Sequence, residues 1–353
     1  MNPDNLTAAE AKIDVAVRKA SGEDQQQLFD FWRRELPGGE RVCELFTWRQ
    51  ASAAASGGNA PYLAEYGGEI VGVSNTIPLL VGCRGSRVCA VWQVDVVVSS
   101  AMRGRGIARQ LMQQLSCAPL ALGKSTQSMY EAKKKCGFSD APNSNLLLCP
   151  LKPFYPEGTL ARRLKYAAVW ASSMWRRESS GLNPELCSSE VVEFGAEFDA
   201  LAEKLMAGDA LTPWKPAAYL NWRYRGCPDR SYRALRLDDG SGLRGTVVLR
   251  GPEGAGREAW IVDVLAEPAD AETLSALIHA AQNDLKARGA SVVWIHATSH
   301  RVRRQLYNSG FIDTGRTVRF TYKANGKMPA DLATTEWNFF HGDGDGELYS
   351  DTE

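Results

Sequence analysis

The sequence of 353 residues repeats three landmarks in the same order in its two halves, and this repeat constrains the fold more than any other feature. Each landmark and its repeat lie 168 to 174 residues apart. Such self-similarity predicts one fold used twice, and the length suffices for two domains that each bury a core. The pairs are Trp48-Arg49 and Trp222-Arg223, Trp92 to Val96 and Trp260 to Val264, and Gly137-Phe138 and Gly310-Phe311.

Residues 91–115 read as a strand, a glycine loop and a helix. A β-branched run ends at Val98, the loop RGRG occupies 103–106, and apolar residues then recur every four positions from Ile107. Glycines let the backbone come close to a ligand, and the free N–H groups of a first helical turn suit a phosphate. The two arginines add positive charge, so the stretch predicts a site for a phosphate or pyrophosphate.

This loop resembles the acetyl-CoA pyrophosphate signature of the GNAT acyltransferases, Gln/Arg-x-x-Gly-x-Gly/Ala, which Arg103, Gly106 and Ala108 meet after a Val-rich strand. The resemblance implies acetyl-CoA, or another acyl-CoA, as the co-substrate. The order of predicted strands and helices over 14–150 fits a GNAT domain. The residues that the resemblance assigns to the coenzyme are Val96, Val98, Arg103, Gly104, Arg105, Gly106, Ile107 and Ala108.

The expected fold is α/β, with two tandem GNAT-like domains that are each a mixed, mostly antiparallel sheet flanked by helices. The second copy is expected to be degenerate, because Glu267, Asp270 and Glu272 stand around the position of the glycine loop, and carboxylates there would repel a pyrophosphate. The predicted divisions are a flexible N-terminus (1–13), a coenzyme-binding domain (14–150), a linker with a connecting helix (151–190), a second domain (191–325) and a tail (326–353).

In the family an amine attacks the thioester, and the resemblance implies a base, an acid and a backbone N–H on the strand 95–98 that holds the carbonyl oxygen. Asp95 is the predicted base, since burial among valines would raise its pKa. Its twin Asp263 persists in the copy without a glycine loop, so a structural duty is the alternative. A histidine base would have to come from the second half, where His296 and His300 are the positioned candidates.

The acid is the point at which the sequence departs from the family. The resemblance implies a tyrosine four residues before the Gly-Phe pair at 137–138, and Lys133 occupies that position. Tyr130 lies one helical turn earlier on the same face and is the predicted substitute. The alternative is that the thiolate leaves unprotonated or takes a proton from water.

Composition narrows the function classes. The 41 Lys and Arg residues equal the 41 Asp and Glu residues, so no overall charge favours nucleic acid or an anionic membrane. The eight cysteines form no Cys-x-x-Cys pair or Cys/His cluster, which indicates neither a zinc site nor a disulfide framework. No apolar run approaches the ~20 residues of a membrane helix, and the N-terminus lacks a signal-peptide core. We therefore expect a cytoplasmic protein without stable membrane insertion.

Two further segments invite ligand hypotheses. Residues 123–126 (GKST) lack the earlier glycine of a nucleotide P-loop, since position 118 is Ala. They are expected to form a turn where Lys124 or Ser125 can touch substrate.

In the tail, the acidic residues of 343–347 do not match the spacing of a calcium loop, and no metal site is predicted. This Gly/Asp-rich part is expected to be solvated, while 337–340 docks on the body.

The sequence therefore predicts a CoA-dependent N-acyltransferase that acts on an amine of a small molecule, with an amino sugar as one acceptor class, bound between the domains. Two alternatives stay open. The first is a peptidoglycan-bridging type of transferase that uses aminoacyl-tRNA, which the intact glycine loop and the neutral charge oppose. The second is a non-catalytic binding protein that retains the fold, which the missing tyrosine favours.

Overall fold

The computed structural model describes residues 15–53, 60–153, 164, 166–173, 187–254, 257–326, 328 and 331–348. Its helices are α1 (Gln25–Glu35), α2 (Gly39–Ala53), α3 (Ile107–Gln113), α4 (Gln127–Lys135), α5 (166–173), α6 (Glu197–Ala207), α7 (Ala217–Leu220), α8 (Ala271–Ala287) and α9 (His300–Asn308). Its strands are β1 (Ala16–Lys19), β2 (Tyr62–Tyr66), β3 (Glu69–Cys83), β4 (Ser86–Val98), β5 (Leu120–Lys124), β6 (Ser139–Asp140), β7 (Asn145–Pro150), β8 (Cys187–Val191), β9 (Thr212–Pro213), β10 (Tyr232–Asp239), β11 (Gly242–Glu253), β12 (Glu258–Leu265), β13 (Val292–His296), β14 (Ile312–Thr317) and β15 (Phe320–Ala324).

The strands form two mixed sheets. The first has the order β1-β2-β3-β4-β5-β15-β6, with β9 paired to β3, and the second has the order β14-β7-β13-β12-β11-β10-β8. In each sheet one parallel pair, β4 with β5 or β12 with β13, interrupts mostly antiparallel neighbours. The predicted α/β fold of two mixed sheets flanked by helices is confirmed.

Helices cover both faces of the first sheet. Val73 of β3 packs in a cluster with Phe31 of α1, whereas its neighbour Gly72 lies under Ile107 and Leu111 of α3. Successive strand residues face opposite sides of a sheet, so α1 and α3 lie on opposite faces. A Cβ at Gly72 would stand 3.0 Å from Cγ2 of Ile107, and glycine therefore lets α3 approach the sheet closely.

Each half has at least one strand that pairs within the other half's sheet. The sequence analysis assigns β7 to the first domain, but β7 lies in the second sheet, with Cys149 opposite Val293 of β13. In return β15 lies in the first sheet, with Tyr322 opposite Leu122 of β5. The predicted division at 150 therefore does not separate the two sheets. A short apolar strand fits either sheet locally, and tertiary pairing decides between them.

The repeated Trp-Arg dipeptides meet at the boundary between the halves. The rings of Trp48 and Trp222 stack with centroids 4.5 Å apart. Each indole N–H donates to the backbone carbonyl of the other residue, at 3.3 and 3.2 Å. With the exchanged strands, this reciprocal contact gives the chain the plan of a two-fold dimer joined into one polypeptide.

The tail is buried, and the prediction that its Gly/Asp-rich part is solvated is wrong. Asp343 is 1% exposed, and its carboxylate binds Nζ of Lys215 at 2.8 Å. Asp345 binds the guanidinium of Arg49 at 3.0 Å. The expected docking of 337–340 on the body is confirmed, since these four residues are at most 2% exposed. The sequence shows the acidic residues but not the cations that meet them.

Several expectations fall partly outside the described residues. The predicted flexible segment 1–13 lies there, and α5 represents only part of the predicted connecting helix. The described cysteine side chains are free thiols. Within the described ranges no group of His, Cys, Asp or Glu is arranged to hold a metal ion, and no helix is both long and apolar enough to cross a bilayer.

Candidate active site

Strands β4 and β5 separate in the middle of the first sheet. Their last parallel pair is Trp92 with Leu122, although both strands continue. The corresponding strands β12 and β13 stay paired for one step more. The first sheet therefore opens at Gln93 and Gly123, and beyond this point the facing edges of β4 and β5 do not bond to each other. We call this gap the strand opening.

A β-bulge on β4 lies beside the strand opening. Asp95 and Val96 together oppose the single residue Ser74 of β3. Asp95 has φ +47°, a left-handed conformation that is uncommon for residues other than glycine. A bulge leaves one residue outside the ladder of strand bonds and bends the strand. The bulge lies on the stretch 95–98, where a backbone N–H is expected to hold the carbonyl oxygen.

The predicted coenzyme loop follows β4 and is open to solvent. Gly104 and Gly106 have φ +81° and +79°, and a Cβ at Gly106 would meet nothing within 4 Å. No side chain caps α3, which begins after Gly106, so the first-turn N–H groups stay available for an anion. Arg103 and Arg105 are exposed beside them. Of the other residues predicted to bind the coenzyme, Val96, Val98 and Ala108 are half-buried and Ile107 is buried.

The same corner of the second half is filled by the protein itself. Asp270 caps α8, because its carboxylate accepts the N–H of Thr273 at 3.0 Å and the hydroxyl at 2.8 Å. The tail enters beside β12, where the N–H of Gly342 donates to the Val262 carbonyl at 2.8 Å. Phe340 forms a bridge with the chain just after β13. The positions that are open in the first half are closed here, as expected for a degenerate copy.

Asp95 lies in a buried ion pair. Its side chain, 4% exposed, pairs with Arg49, which also binds Asp345 of the tail. Burial and then the charge of Asp95 raise the pKa of the Asp345 carboxyl to about 6. The twin Asp263 is likewise bound, by Nζ of Lys215 at 2.7 Å. Because both Asp95 and Asp263 form an ion pair, the structure supports a structural role for this aspartate.

The structure gives the other predicted acid and base residues separate partners. The hydroxyl of Tyr130 donates to Asp140 at 2.9 Å, and this hydrogen bond raises the pKa of the phenol. His300 is exposed, with Nδ1 3.2 Å from the carboxylate of Glu336. His296 is fully buried in the second sheet, and burial lowers its pKa well below the usual value, which keeps the ring neutral.

Lys124, a predicted substrate contact, holds the tail. Its Nζ donates to the carbonyls of Phe340, His341 and Asp343 at 2.8 to 3.0 Å. These bonds use the three donors of an ammonium group. The turn at 123–126 therefore connects the end of β5 to the tail.

The sequence identifies Lys133 as the residue in place of the family's tyrosine but does not predict its burial. Lys133 is 1% exposed on α4, and its Nζ lies at the strand opening, 2.1 Å from where a Cβ of Gly123 would stand. Burial lowers the pKa of Lys133 to about 7. The repeat is the sequence signal that could have predicted this burial. The residue of α9 equivalent to Lys133 is Leu306, an apolar residue that is fully buried.

A cleft of about 480 Å³ lies elsewhere, between the two halves. It is lined by charged and polar residues of both, including Arg84, Asn143, Asp209, Thr298 and Arg301. Arg84 belongs to the turn before β4, so this cleft is at the opposite end of β4 from the glycine loop. His300, one of the two histidines considered as a base, lines this cleft, whereas Asp95, Tyr130 and the predicted coenzyme residues do not.

Residues 16–121 match the family model of the acetyltransferase (GNAT) domain. The matched segment runs from β1 into β5 and contains the bulge, the start of the strand opening and the glycine loop. The first half of the chain therefore contains a GNAT domain. The open corner with the glycine loop lies inside this matched segment.

Solved structures of similar fold cover most of the chain. The chain resembles a GCN5-related N-acetyltransferase from Anabaena variabilis, with TM-score 0.62 and 14% identity over 89% of this chain and 73% of that one. It resembles a probable N-acyltransferase from Enterococcus faecalis, with TM-score 0.62 and 12% identity over the same shares, 89% and 73%. Eis1 from Mycobacterium abscessus gives TM-score 0.56 and 13% identity over 88% and 74%. At these identities the likeness shows the fold alone. A search of curated proteins found no match.

Proposed function

We propose that this GNAT protein is a CoA-dependent N-acyltransferase that moves an acetyl or other acyl group from acyl-CoA to an amine of a small molecule. One observation carries the proposal: β4 and β5 separate just before an uncapped glycine loop, inside the segment matched to the GNAT domain. The closed corner of the second half supports one coenzyme site for each chain.

The residues of the first half divide the work of binding. Backbone N–H groups of 104–108, with Arg103 and Arg105, would hold the pyrophosphate. Val96 and Val98 would line the pantetheine arm. When bound, acyl-CoA supplies the thioester carbonyl and the sulfur leaving group. A bulge N–H aimed at the carbonyl oxygen would act as one oxyanion donor, a contribution of about 10²- to 10³-fold in kcat.

We propose Asp95 as a positioning residue for this bulge. Its ion pair with Arg49 links the bulge to α2 and, through Asp345, to the tail. The catalytic roles of Asp95 and Tyr130 that the sequence suggests stay predictions, tested by replacing each residue singly.

The test is acetyl-CoA-dependent thiol release with a panel of small amines that includes amino sugars. We expect at least one amine to give turnover. Gly106→Glu should abolish it, because the carboxylate would repel the pyrophosphate. Gly67→Glu is the matched control, since Gly67 also has positive φ and open space around it but lies in the β2–β3 turn.

Three results would contradict the proposal. CoA binding without thiol release from any amine would support a non-catalytic GNAT protein. Turnover with aminoacyl-tRNA in place of acyl-CoA would support the bridging type of transferase. Equal activity of Gly106→Glu and wild type would remove the glycine loop from the reaction.

A further inference from the structure

The buried residue of α4 is a lysine. Lys133 is 1% exposed, and its Nζ has no hydrogen-bond or ion-pair partner within the described part of the chain. The Nζ lies over the ring of Phe138, 5.6 Å from the ring centroid. Burying an ammonium group without a partner is unfavourable, so folding alone gives no reason for a lysine here.

The Nζ of Lys133 lies at the strand opening. A Cβ placed on Gly123 would stand 2.1 Å from this Nζ and 3.5 Å from the backbone oxygen of Gln93. Gln93 and Gly123 are the first residues of β4 and β5 beyond the last parallel pair. The absence of a side chain on Gly123 therefore makes the space in which the amine reaches the opening.

The second half shows what this position holds when no coenzyme loop is present. The counterpart of Lys133 on α9 is Leu306, which is fully buried, and the counterpart of Gly123 on β13 is Ile295, which is also fully buried. There β12 and β13 remain paired at Ile261 with Ile295. The second half fills these two positions with apolar side chains, whereas the first half has a lysine and a glycine there.

We propose that Lys133 is the proton donor to the departing sulfur in the acyl transfer described above, an inference that rests on that proposed function. The nitrogen of the neutral acceptor amine bonds to the thioester carbonyl carbon, and the carbon–sulfur bond breaks with its electron pair on sulfur. Lys133 gives that sulfur a proton. The acceptor nitrogen releases its own proton to water, and Lys133 regains one from water.

The acidity of Lys133 suits this role. Burial lowers its pKa to about 7, and the charge of Asp345 opposes part of that shift. Asp345 is the charged group that acts on the lysine, and its carboxylate binds Arg49, which also pairs with Asp95. A thiol has a pKa of about 8.5, so proton transfer from this ammonium to a thiolate is downhill, whereas it would be uphill from an ordinary lysine with a pKa of about 10.4.

The test separates turnover from binding in the full-length protein. Lys133→Met should lower kcat by about 10²-fold or more and leave the affinity for coenzyme A within about threefold. It should also remove the fall of kcat above pH 7 that deprotonation of Lys133 causes. Lys133→Arg keeps the charge without a transferable proton and should stay inactive. Lys135→Met, an exposed lysine of the same helix, is the matched control and should behave as wild type.

The outcomes distinguish this inference from the proposed function. A wild-type protein that neither binds coenzyme A nor releases thiol would contradict the function itself. A wild type that does both, with Lys133→Met or Lys133→Arg equally active, would overturn the role of Lys133 alone. Loss of turnover in Tyr130→Phe with none in Lys133→Met would assign the acid to Tyr130 and overturn it as well.

Discussion

Lys133 also gives the fold a pH dependence at the residue scale. Its pKa falls from 10.5 to about 7 on folding, so between these values the unfolded chain binds a proton that the native chain does not. The contribution of Lys133 to the free energy of unfolding is therefore most unfavourable below pH 7 and improves as pH rises towards 10.5.

We predict that Lys133→Met raises the free energy of unfolding at pH 6 by a few kcal/mol, on the order of the pKa shift at 1.36 kcal/mol per unit, and by clearly less at pH 10. Denaturant unfolding at the two pH values measures the difference. The exposed Lys135→Met should change stability by less than about 0.5 kcal/mol at either pH. A Lys133→Met protein no more stable than wild type at pH 6 would show that the lysine does not suffer the predicted burial.

The site residues differ in how far the sequence reveals them. The loop at 103–108 is a local pattern, in which glycines with positive φ, arginines and a helix start are adjacent in the chain. The duty of Asp95 and the burial of Lys133 depend on partners distant in sequence, Arg49 for the first and Gly123 for the second. Arg49 belongs to the repeated Trp-Arg pair, but nothing in the sequence places it beside Asp95, and no pattern places Gly123 beside Lys133.

At the scale of elements, the tail is a structural component. The ring of Trp337 is fully buried, packs 4.9 to 5.9 Å from the rings of Tyr322, Phe339 and Phe320, and donates its indole N–H to the Leu332 carbonyl at 3.0 Å. The tail therefore closes the core under the first sheet.

We predict that Trp337→Ala lowers the free energy of unfolding by about 3–5 kcal/mol, because it leaves a large cavity. Tyr66→Ala, at a residue that is 51% exposed, is the control and should cost far less. Urea unfolding compares the two variants. A loss below about 1 kcal/mol for Trp337→Ala would mean that the tail is detached in solution.

For the strands, the sequence predicts where a strand lies but not which strand it pairs with. The β-branched run predicts the end of β4 at Val98 correctly, because the pattern of apolar residues is a property of the segment itself. The predicted domain 14–150 includes β7, which pairs in the second sheet instead. Register and partner are decided by tertiary contacts such as Cys149 opposite Val293.

For the whole molecule, the exchanged strands join the halves into one folding unit. β7 lies between β14 and β13 of the second sheet, and β15 lies between β5 and β6 of the first. We predict that residues 1–150 and 151–353, expressed separately, do not give a cooperative unfolding transition, whereas co-expression yields a soluble complex. Circular dichroism during thermal unfolding checks this. A fragment 1–150 that unfolds cooperatively would contradict the exchange.

The central claim is that the chain holds one acyl-CoA site, at the glycine loop of the first half. Isothermal titration calorimetry of the full-length protein with coenzyme A tests it most directly. The account predicts one molecule bound per chain, binding retained in Gly67→Glu and binding lost in Gly106→Glu. A stoichiometry of two, or binding that survives Gly106→Glu, would contradict it, as would the absence of binding to the wild type.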